Sequence, residues 1–506
     1  MLSSDARAFF REVAAAAFAN PFSEERARRD RRLAATLQTP RDPAQEATSS
    51  SSADSANPEL DAALSAVRAE LDRLWPLDLN TLEGEDRHLV EVALLFDTFH
   101  VFVPEFDALV TRQLEAGSRP VKATFGLDVV RRLVERGMSP ERAARFVGIF
   151  YQMRRAFFMA RERLKGQSPS MQRLRARLWQ AIFTDDLARY EARLWDRMED
   201  FSIFLIGPTG SGKGAAASVL GASSWIPFDD QAGRFALSFS DLFVPLNLSQ
   251  FPETLIESEL FGHKKGAFTG AIEAHEGVFG RCPRHGVIFL DEIGETSLPT
   301  QIKLLRVLQE RVFVPVGGHE EQRFEGRVVA ATNRDIGQAR EEGRFRDDFY
   351  YRLCSDVIEV PSLAERLREE PAELKELVAH SVERILGQPD EGLFREVVAS
   401  LGASLPEGYA WPGNVRELEQ AVRRTLLGAP YRGDLRQDRP QSLDTPELSL
   451  VAAELGARID AGALTMRELQ QAYCRLLYAR SGTYEEVARQ ADIDRRTARR
   501  YIEDEL

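Results

Sequence analysis

Between residues 201 and 214 the chain reads FSIFLIGPTGSGKG. Phe201–Ile206 is a short apolar run and predicts a buried strand. Gly207, Pro208, Thr209, Gly210, Ser211, Gly212 and Lys213 follow in the spacing G-x-x-x-x-G-K. A glycine-rich loop between strand and helix lets backbone N–H groups converge on phosphate oxygens. The lysine ammonium then reaches the β- and γ-phosphates. A plain glycine turn is the alternative, and the strand–loop–helix context disfavours it. Position 214 is Gly, where this loop commonly carries a Ser or Thr that holds magnesium.

A second stretch restricts the fold further. Val287-Ile288-Phe289-Leu290 predicts another buried strand, and Asp291 and Glu292 end it. Ligands of open α/β sheets bind outside the carboxyl ends of the strands. There Asp291 is expected to hold Mg2+, and Glu292 to orient and polarise an attacking water. A helix N-cap pair is the bland alternative. The two motifs together, in this order, point to an α/β ATPase core.

At 506 residues the chain is too long for one core, and two to four domains are expected. A net charge of −13 means that any contact with nucleic acid must come from a local basic element. Cys282, Cys354 and Cys474 make no metal or disulfide spacing; Cys282 and His285 form a lone C-x-x-H, with Cys282 expected as a buried small hydrophobe. No apolar run has transmembrane length, and the N-terminus lacks the form of a signal peptide, so a cytoplasmic protein is expected.

Residues 1–37 show helical spacing of Phe9, Phe10, Val13, Ala17 and Phe18. Residues 38–57, rich in Ser, Pro and Ala, predict a flexible linker. Helical patterns return from Leu60 to Lys165 with no catalytic constellation among them. Residues 430–447 carry Pro, Gly, Asp and Arg without periodicity and predict an interdomain linker. From residue 465 three helices follow. Gly482 ends the first, Thr483 caps the second with Glu486 three residues on, and Asp494 caps the third. The short turn between the last two predicts a helix-turn-helix with Arg495–Ile502 as recognition helix. Arg495, Arg496, Thr497, Arg499 and Arg500 are its candidate DNA contacts.

Residues 257–271 read ESELFGHKKGAFTGA. By composition the segment is a loop tip, because each glycine costs about 1 kcal/mol in a helix. An exposed Phe268 and one folded back into a core are both compatible with that. The hexapeptide Gly266-Ala267-Phe268-Thr269-Gly270-Ala271 resembles the signature of bacterial enhancer-binding proteins, the AAA+ ATPases that activate RNA polymerase carrying sigma-54. The resemblance covers about residues 168–506 and implies that this loop touches sigma-54.

The same resemblance implies further roles. Asn247, after the predicted strand Phe243–Asn247, matches the position that hydrogen-bonds the catalytic glutamate. Thr332 and Asn333, ending the predicted strand Arg327–Thr332, match the sensor that reads the γ-phosphate. Arg346 and Arg352, in FRDDFYYRL, match the arginines that reach a neighbouring subunit's nucleotide. Arg416, in WPGNVRELEQAVRR, matches the lid arginine that contacts nucleotide in its own subunit. Gly214 is less unusual in this light, since the family often lacks the hydroxyl. Two departures stand out: a longer helical stretch over residues 183–200, and an insertion, WIPFDDQAGRF, between Lys213 and Asn247.

The expected architecture is multidomain: a helical N-terminal regulatory region (1–165), an AAA+ α/β ATPase subdomain (166–365) with helical lid (366–430), a linker (431–462) and a Fis-type helix-turn-helix (463–506). The expected activity is ATP hydrolysis with Mg2+ in a ring, a hexamer, acting on sigma-54 RNA polymerase and tethered to upstream double-stranded DNA. The rival readings are an ATP-binding DNA-bound regulator without turnover, and an AAA+ remodeller of another protein.

Overall fold

Five short strands carry the centre of the molecule: β1 (Ile203–Ile206), β2 (Phe243–Asn247), β3 (Val287–Asp291), β4 (Arg327–Thr332) and β5 (Asp356–Glu359). They form one parallel sheet in the order β2-β3-β4-β1-β5. Every residue of β4, and all but the last of β3, is buried, as expected of strands covered on both faces. Pro245 cannot donate to a ladder, and β2 is accordingly an edge strand. β1 starts at Ile203, two residues later than expected, because Phe201 closes a one-turn helix over Met198–Asp200 by donating to the Met198 carbonyl.

The computed structural model describes residues 2–35, 58–74, 76, 78–433, 455, 458–459, 461–481 and 483–503. The expected flexible stretch 38–57, the helix-ending Gly482 and all but the first four residues of the expected linker 430–447 lie outside the described residues. The described chain divides into two compact units: one spans residues 2–399 and 408–427, the other residues 400–407 and the described part of 428–503.

Among the described residues of the first unit, eight helices of ten or more residues precede the sheet: α1 (Ser4–Ala17), α2 (Glu24–Ala35), α3 (Pro58–Arg73), α4 (Gly84–Val101), α5 (Val103–Ala116), α6 (Phe125–Val134), α7 (Pro140–Arg163) and α8 (Pro169–Phe183). The helical stretch expected over residues 1–37 is broken into two helices, because Pro21 disfavours helical backbone at Asn20. The amide of Asn20 instead donates to the Ala176 carbonyl at 2.9 Å. The stretch after α8 is not one long helix either. Thr184 takes a left-handed φ of 63°, and only short helical turns follow to Asp200.

The N-terminal helices share a hydrophobic core with one face of the sheet, running from Phe10 and Val90 through Phe150 and Leu178 to Val329 and Val360. Helix α7 is the joint. It packs on α9 (Lys213–Ala222), the helix that follows the glycine-rich loop. Arg155 on α7 is fully buried and donates to the carbonyls of Ala222 and Ser224, both at 2.7 Å. Gln152 donates to Ser223 O at 2.9 Å and accepts from the Tyr190 hydroxyl at 2.8 Å. The last carbonyls of a helix lack intrahelical partners, and α7 satisfies them. Burial pulls the Arg155 guanidinium down to about 10, and its plane stacks 4.5 Å from the Tyr151 ring.

The remaining helices of interest in this unit are α10 (Glu253–Phe261), α11 (Leu298–Glu310), α12 (Asp347–Leu353), α13 (Leu363–Glu369), α14 (Glu373–Leu386) and α16 (Asn414–Leu426); α15 (Glu391–Ser404) runs from this unit into the other. In the second unit α17 (Met466–Ser481), α18 (Tyr484–Gln490) and α19 (Arg495–Glu503) enclose Cys474, Leu477, Val487 and Ala498.

Replacing Arg155 with Met strands two carbonyls at the end of α9, those of Ala222 and Ser224. Charged hydrogen bonds contribute about 1.5–3 kcal/mol each. Arg155→Met is therefore expected to lower the thermal midpoint by several degrees. Arg155→Lys should recover little, since an ammonium does not reproduce the two-pronged guanidinium. An unchanged midpoint by calorimetry would show that α7 is not the joint described here.

Candidate functional site

The parallel register sets the site. Asn247 pairs with Asp291 across β2 and β3, and Ile206 pairs with Thr332 across β1 and β4. The carboxyl ends of four strands thus deliver the glycine-rich loop, Asn247, Asp291–Glu292 and Thr332–Asn333 to one edge. A cleft of about 480 Å³ opens there, within the range of small-molecule sites. Thr209–Gly214, Asn247, Asp291, Glu292 and Arg416 line it.

The loop has little freedom. Gly210 has φ 76°, and a Cβ on it would lie 2.3 Å from the Gly413 carbonyl oxygen. The Lys213 ammonium donates to the carbonyls of Gly207 and Pro208 at 2.8 and 3.2 Å. Burial lowers its pKa, and Glu292 and Asp291 oppose that shift. Burial likewise raises the pKa of Asp291, against the pull of Lys213. Among the described residues the buried Ser211 hydroxyl meets no hydrogen-bond partner. Gly214 is not sterically imposed: a Cβ there would meet only Phe289, at 3.9 Å.

Glu292 sits in left-handed backbone, φ 57° and ψ 45°, unusual for a residue with a side chain. Its carboxylate accepts from Asn333 N at 3.4 Å, and the Asn333 amide donates to Thr209 Oγ1 at 2.7 Å. Asn247 differs from expectation. Its amide reaches Asp291 Oδ2 at 3.5 Å rather than Glu292, because the register sets it opposite Asp291 while Glu292 lies one residue beyond the strand. The buried Thr332 hydroxyl accepts from Arg334 N at 3.1 Å.

Arg346 and Arg352 are not among the residues lining this cleft. Arg346 pairs with Asp348 at 2.7 Å in a half-exposed position. Arg352, on α12, donates twice to the Leu308 carbonyl near the end of α11, at 3.0 and 2.8 Å.

Sequence reasoning missed Asn414. It stands at φ 55°, a conformation that Asn tolerates better than most residues. Its amide donates to Thr209 O at 3.0 Å, its Oδ1 accepts from Leu363 N at 2.7 Å, and Val415 N donates to Gly210 O at 3.1 Å. The turn before α16 is thereby clasped to the tip of the glycine-rich loop. An Asn just before a helix pattern, after Pro and Gly, was the available signal. Arg163 and Lys165, from the end of α7, also line the cleft, and nothing in the sequence ties them to it.

The hexapeptide loop leaves α10 at Gly262. His263 and His275 exchange backbone hydrogen bonds at 2.9 and 3.0 Å and close its base. Gly266 N donates to Ala271 O at 2.8 Å, and Ala271 N to Phe268 O at 3.0 Å. Gly266 and Gly270 have φ of 81° and 106°, with open space where a Cβ would stand, so backbone conformation alone demands glycine. Phe268 is 37% exposed and Ile272 is 77% exposed. The Phe268 ring rests edge-on against His263, centroids 4.9 Å apart, outside the core.

In the second unit Asp494 caps α19 by accepting from Thr497 N at 2.9 Å and Thr497 Oγ1 at 2.6 Å. The Thr497 hydroxyl is thus engaged within the chain. Arg495, Arg496, Arg499 and Arg500 are exposed on α19, whose Ala498 is buried. Thr483 occupies the N-cap of α18, and Glu486 also meets Arg489 and Gln490.

Residues 187–359 match the family model described as the Sigma-54 interaction domain. The chain is 43% identical over 226 residues to a Nif-specific regulatory protein of Azotobacter vinelandii, covering 45% of this chain and 40% of that one. It is 38% identical over 291 residues to the Sigma54-dependent transcriptional activator SfnR of Pseudomonas putida, covering 56% and 71%. It is 38% identical over 268 residues to the DNA-binding transcriptional regulator NtrC of Azospirillum brasilense, covering 53% and 48%. The matched part spans less than half the length of the Nif-specific and NtrC relatives.

Asn414→Ala removes three side-chain hydrogen bonds, with Thr209 O, Leu363 N and, at 3.3 Å, Pro412 O, at about 1 kcal/mol each at most, and puts in left-handed backbone a residue that tolerates it less well than Asn. A loss of about 2–3 kcal/mol is expected in denaturant titration. A loss below about 0.5 kcal/mol would show that the clasp is not a stabilising contact.

Proposed function

The chain belongs to the sigma-54-dependent transcriptional activators, and from that premise we propose that it hydrolyses ATP to drive sigma-54 RNA polymerase from closed to open promoter complex. The observation that carries the hydrolysis is the cleft in which Lys213, Asp291, Glu292 and Arg416 converge. The glycine-rich loop and the orphaned Ser211 hydroxyl suit phosphate oxygens, and Lys213 supplies the charge they need. Asp291 is the residue that would hold magnesium, which neutralises phosphate charge when bound. Glu292 orients a water toward the γ-phosphorus and draws off its proton as the new P–O bond forms and ADP leaves. Asn333, between Thr209 and the Glu292 carboxylate, is placed to report whether the γ-phosphate is present.

Arg346 and Arg352 act on a neighbouring copy in this proposal, which makes a ring the active form, a hexamer. Hydrolysis moves the loop Gly266–Ala271, whose exposed Phe268 engages sigma-54. Helices α18 and α19 form a helix-turn-helix that holds the assembly on upstream DNA through Arg495, Arg496, Arg499 and Arg500. Residues 366–430 act as the lid of the nucleotide cleft, with Arg416 as its contact.

Two experiments separate chemistry from coupling. Glu292→Gln should bind ATP as the parent does, while phosphate release falls by about 10²–10⁴, the range of a lost general base. Turnover at the parent rate would remove Glu292 from its role.

Phe268→Ala should leave ATPase activity and thermal stability nearly unchanged and abolish open-complex formation on a sigma-54 promoter. The exposure of Phe268 argues against the ~3–5 kcal/mol cost of a deleted core phenylalanine. A destabilised, ATPase-dead Phe268→Ala protein would overturn the coupling assignment.

A further inference from the structure

Away from the nucleotide cleft, α1, α2, α4 and α7 border a cavity of about 90 Å³, several times the ~10–15 Å³ that one water needs. Its walls are largely carbon, with Phe96, Phe99, Phe146, Phe150, Ile149 and Met153 among them. The charged groups that reach it are satisfied by one another. Arg142 pairs with Glu91 and, at 3.1 Å, with Glu191; Arg26 pairs with Asp30 at 2.9 Å.

His100 is the exception. Its Nδ1 lies 2.8 Å from the Phe96 carbonyl oxygen, which can only accept, so Nδ1 carries the proton. Burial, reinforced by Arg26, brings the imidazole down to about 3 and keeps it neutral at physiological pH. Nε2 is then an acceptor, and no hydrogen bond reaches it among the described residues. An acceptor amid phenylalanine rings selects a ligand with an aromatic body and one donor.

We propose that this cavity binds a small neutral aromatic molecule that donates one hydrogen bond to His100 Nε2. The position of the cavity gives such a ligand a route to the rest of the unit. Helix α7 presents Phe146, Ile149, Phe150 and Met153 to the cavity, and from the same turns it sends Gln152 and Arg155 to the end of α9. Occupancy is thereby registered by the helix that caps α9. An effect on turnover rests on the ATPase reading above; binding itself does not.

The test uses full-length protein without nucleotide, titrated by calorimetry with indole and with indene, which has the same outline but CH2 in place of N–H. Indole is expected to bind about tenfold more tightly than indene, the increment of one good hydrogen bond. His100→Phe should erase that preference, and Ile149→Trp, which fills the cavity, should abolish indole binding. Absence of indole binding to the parent protein, or equal binding of indole and indene, would overturn the proposal. That comparison needs no variant, so a variant that misfolds does not blunt it.

Discussion

Helix α9 is held at both ends by segments distant in sequence, and the geometry of the cleft depends on that grip. At its C-terminal end Arg155 and Gln152 take up the carbonyls of Ala222, Ser223 and Ser224. At its N-terminal end Asn414 and Val415 bond the carbonyls of Thr209 and Gly210 in the loop that enters it. Helix ends carry unsatisfied backbone groups, which makes them natural attachment points for other parts of a structure. Here one end answers to the N-terminal helices and the other to the turn before α16.

The consequence is mechanical continuity. The loop that carries Lys213 is held at Thr209 by Asn414, and Asn414 in turn bonds Leu363 N at the start of α13. Behind that contact, Arg366 on α13 forms a buried pair with Glu373 on α14; Glu373 accepts from Ser168 N at 2.7 Å, and Arg366 donates to Lys165 O at 2.7 Å. The linker from α7 to α8 is therefore tied to the same helices that line the cleft. An ion pair this deeply buried is costly to break, because either partner alone is left as an uncompensated charge.

The two segments that depart from the family pattern are where the N-terminal helices attach. In the insertion, Phe228–Asp229 and Arg234–Phe235 pair as a small hairpin, Ala123 N donates to Gly233 O at 2.8 Å, and Phe235 stacks on Tyr151 with centroids 4.2 Å apart. In the stretch after α8, Glu191 meets Arg142, and Trp195 lies under Arg145 and against Trp225 of the insertion, centroids 4.3 Å apart. Both departures give α6 and α7 a surface on the ATPase core that a shorter chain would lack.

Local sequence determined the strand–loop–helix at Ile203–Ala222, the acidic end of β3 and the glycines of the hexapeptide loop, because each is set by backbone conformation or burial within a few residues. It also indicated the helical patterns between Leu60 and Lys165, since their apolar spacing is strong. Tertiary structure decided what periodicity cannot carry. The strand register put Asn247 beside Asp291 rather than Glu292. The left-handed turn at Asn414 made a clasp from a residue that resembles an ordinary turn former. Arg155 and His100 look in sequence like residues of a solvated helix face, yet one caps α9 and the other faces a cavity. For Asn247, Asn414 and Arg155 the physical reason is common: a hydrogen bond between residues tens or hundreds of positions apart leaves no local pattern, and only the packed chain brings its two partners together. His100 bonds the Phe96 carbonyl one turn back, and it is the packing of α1, α2 and α7 against α4 that sets it in a cavity.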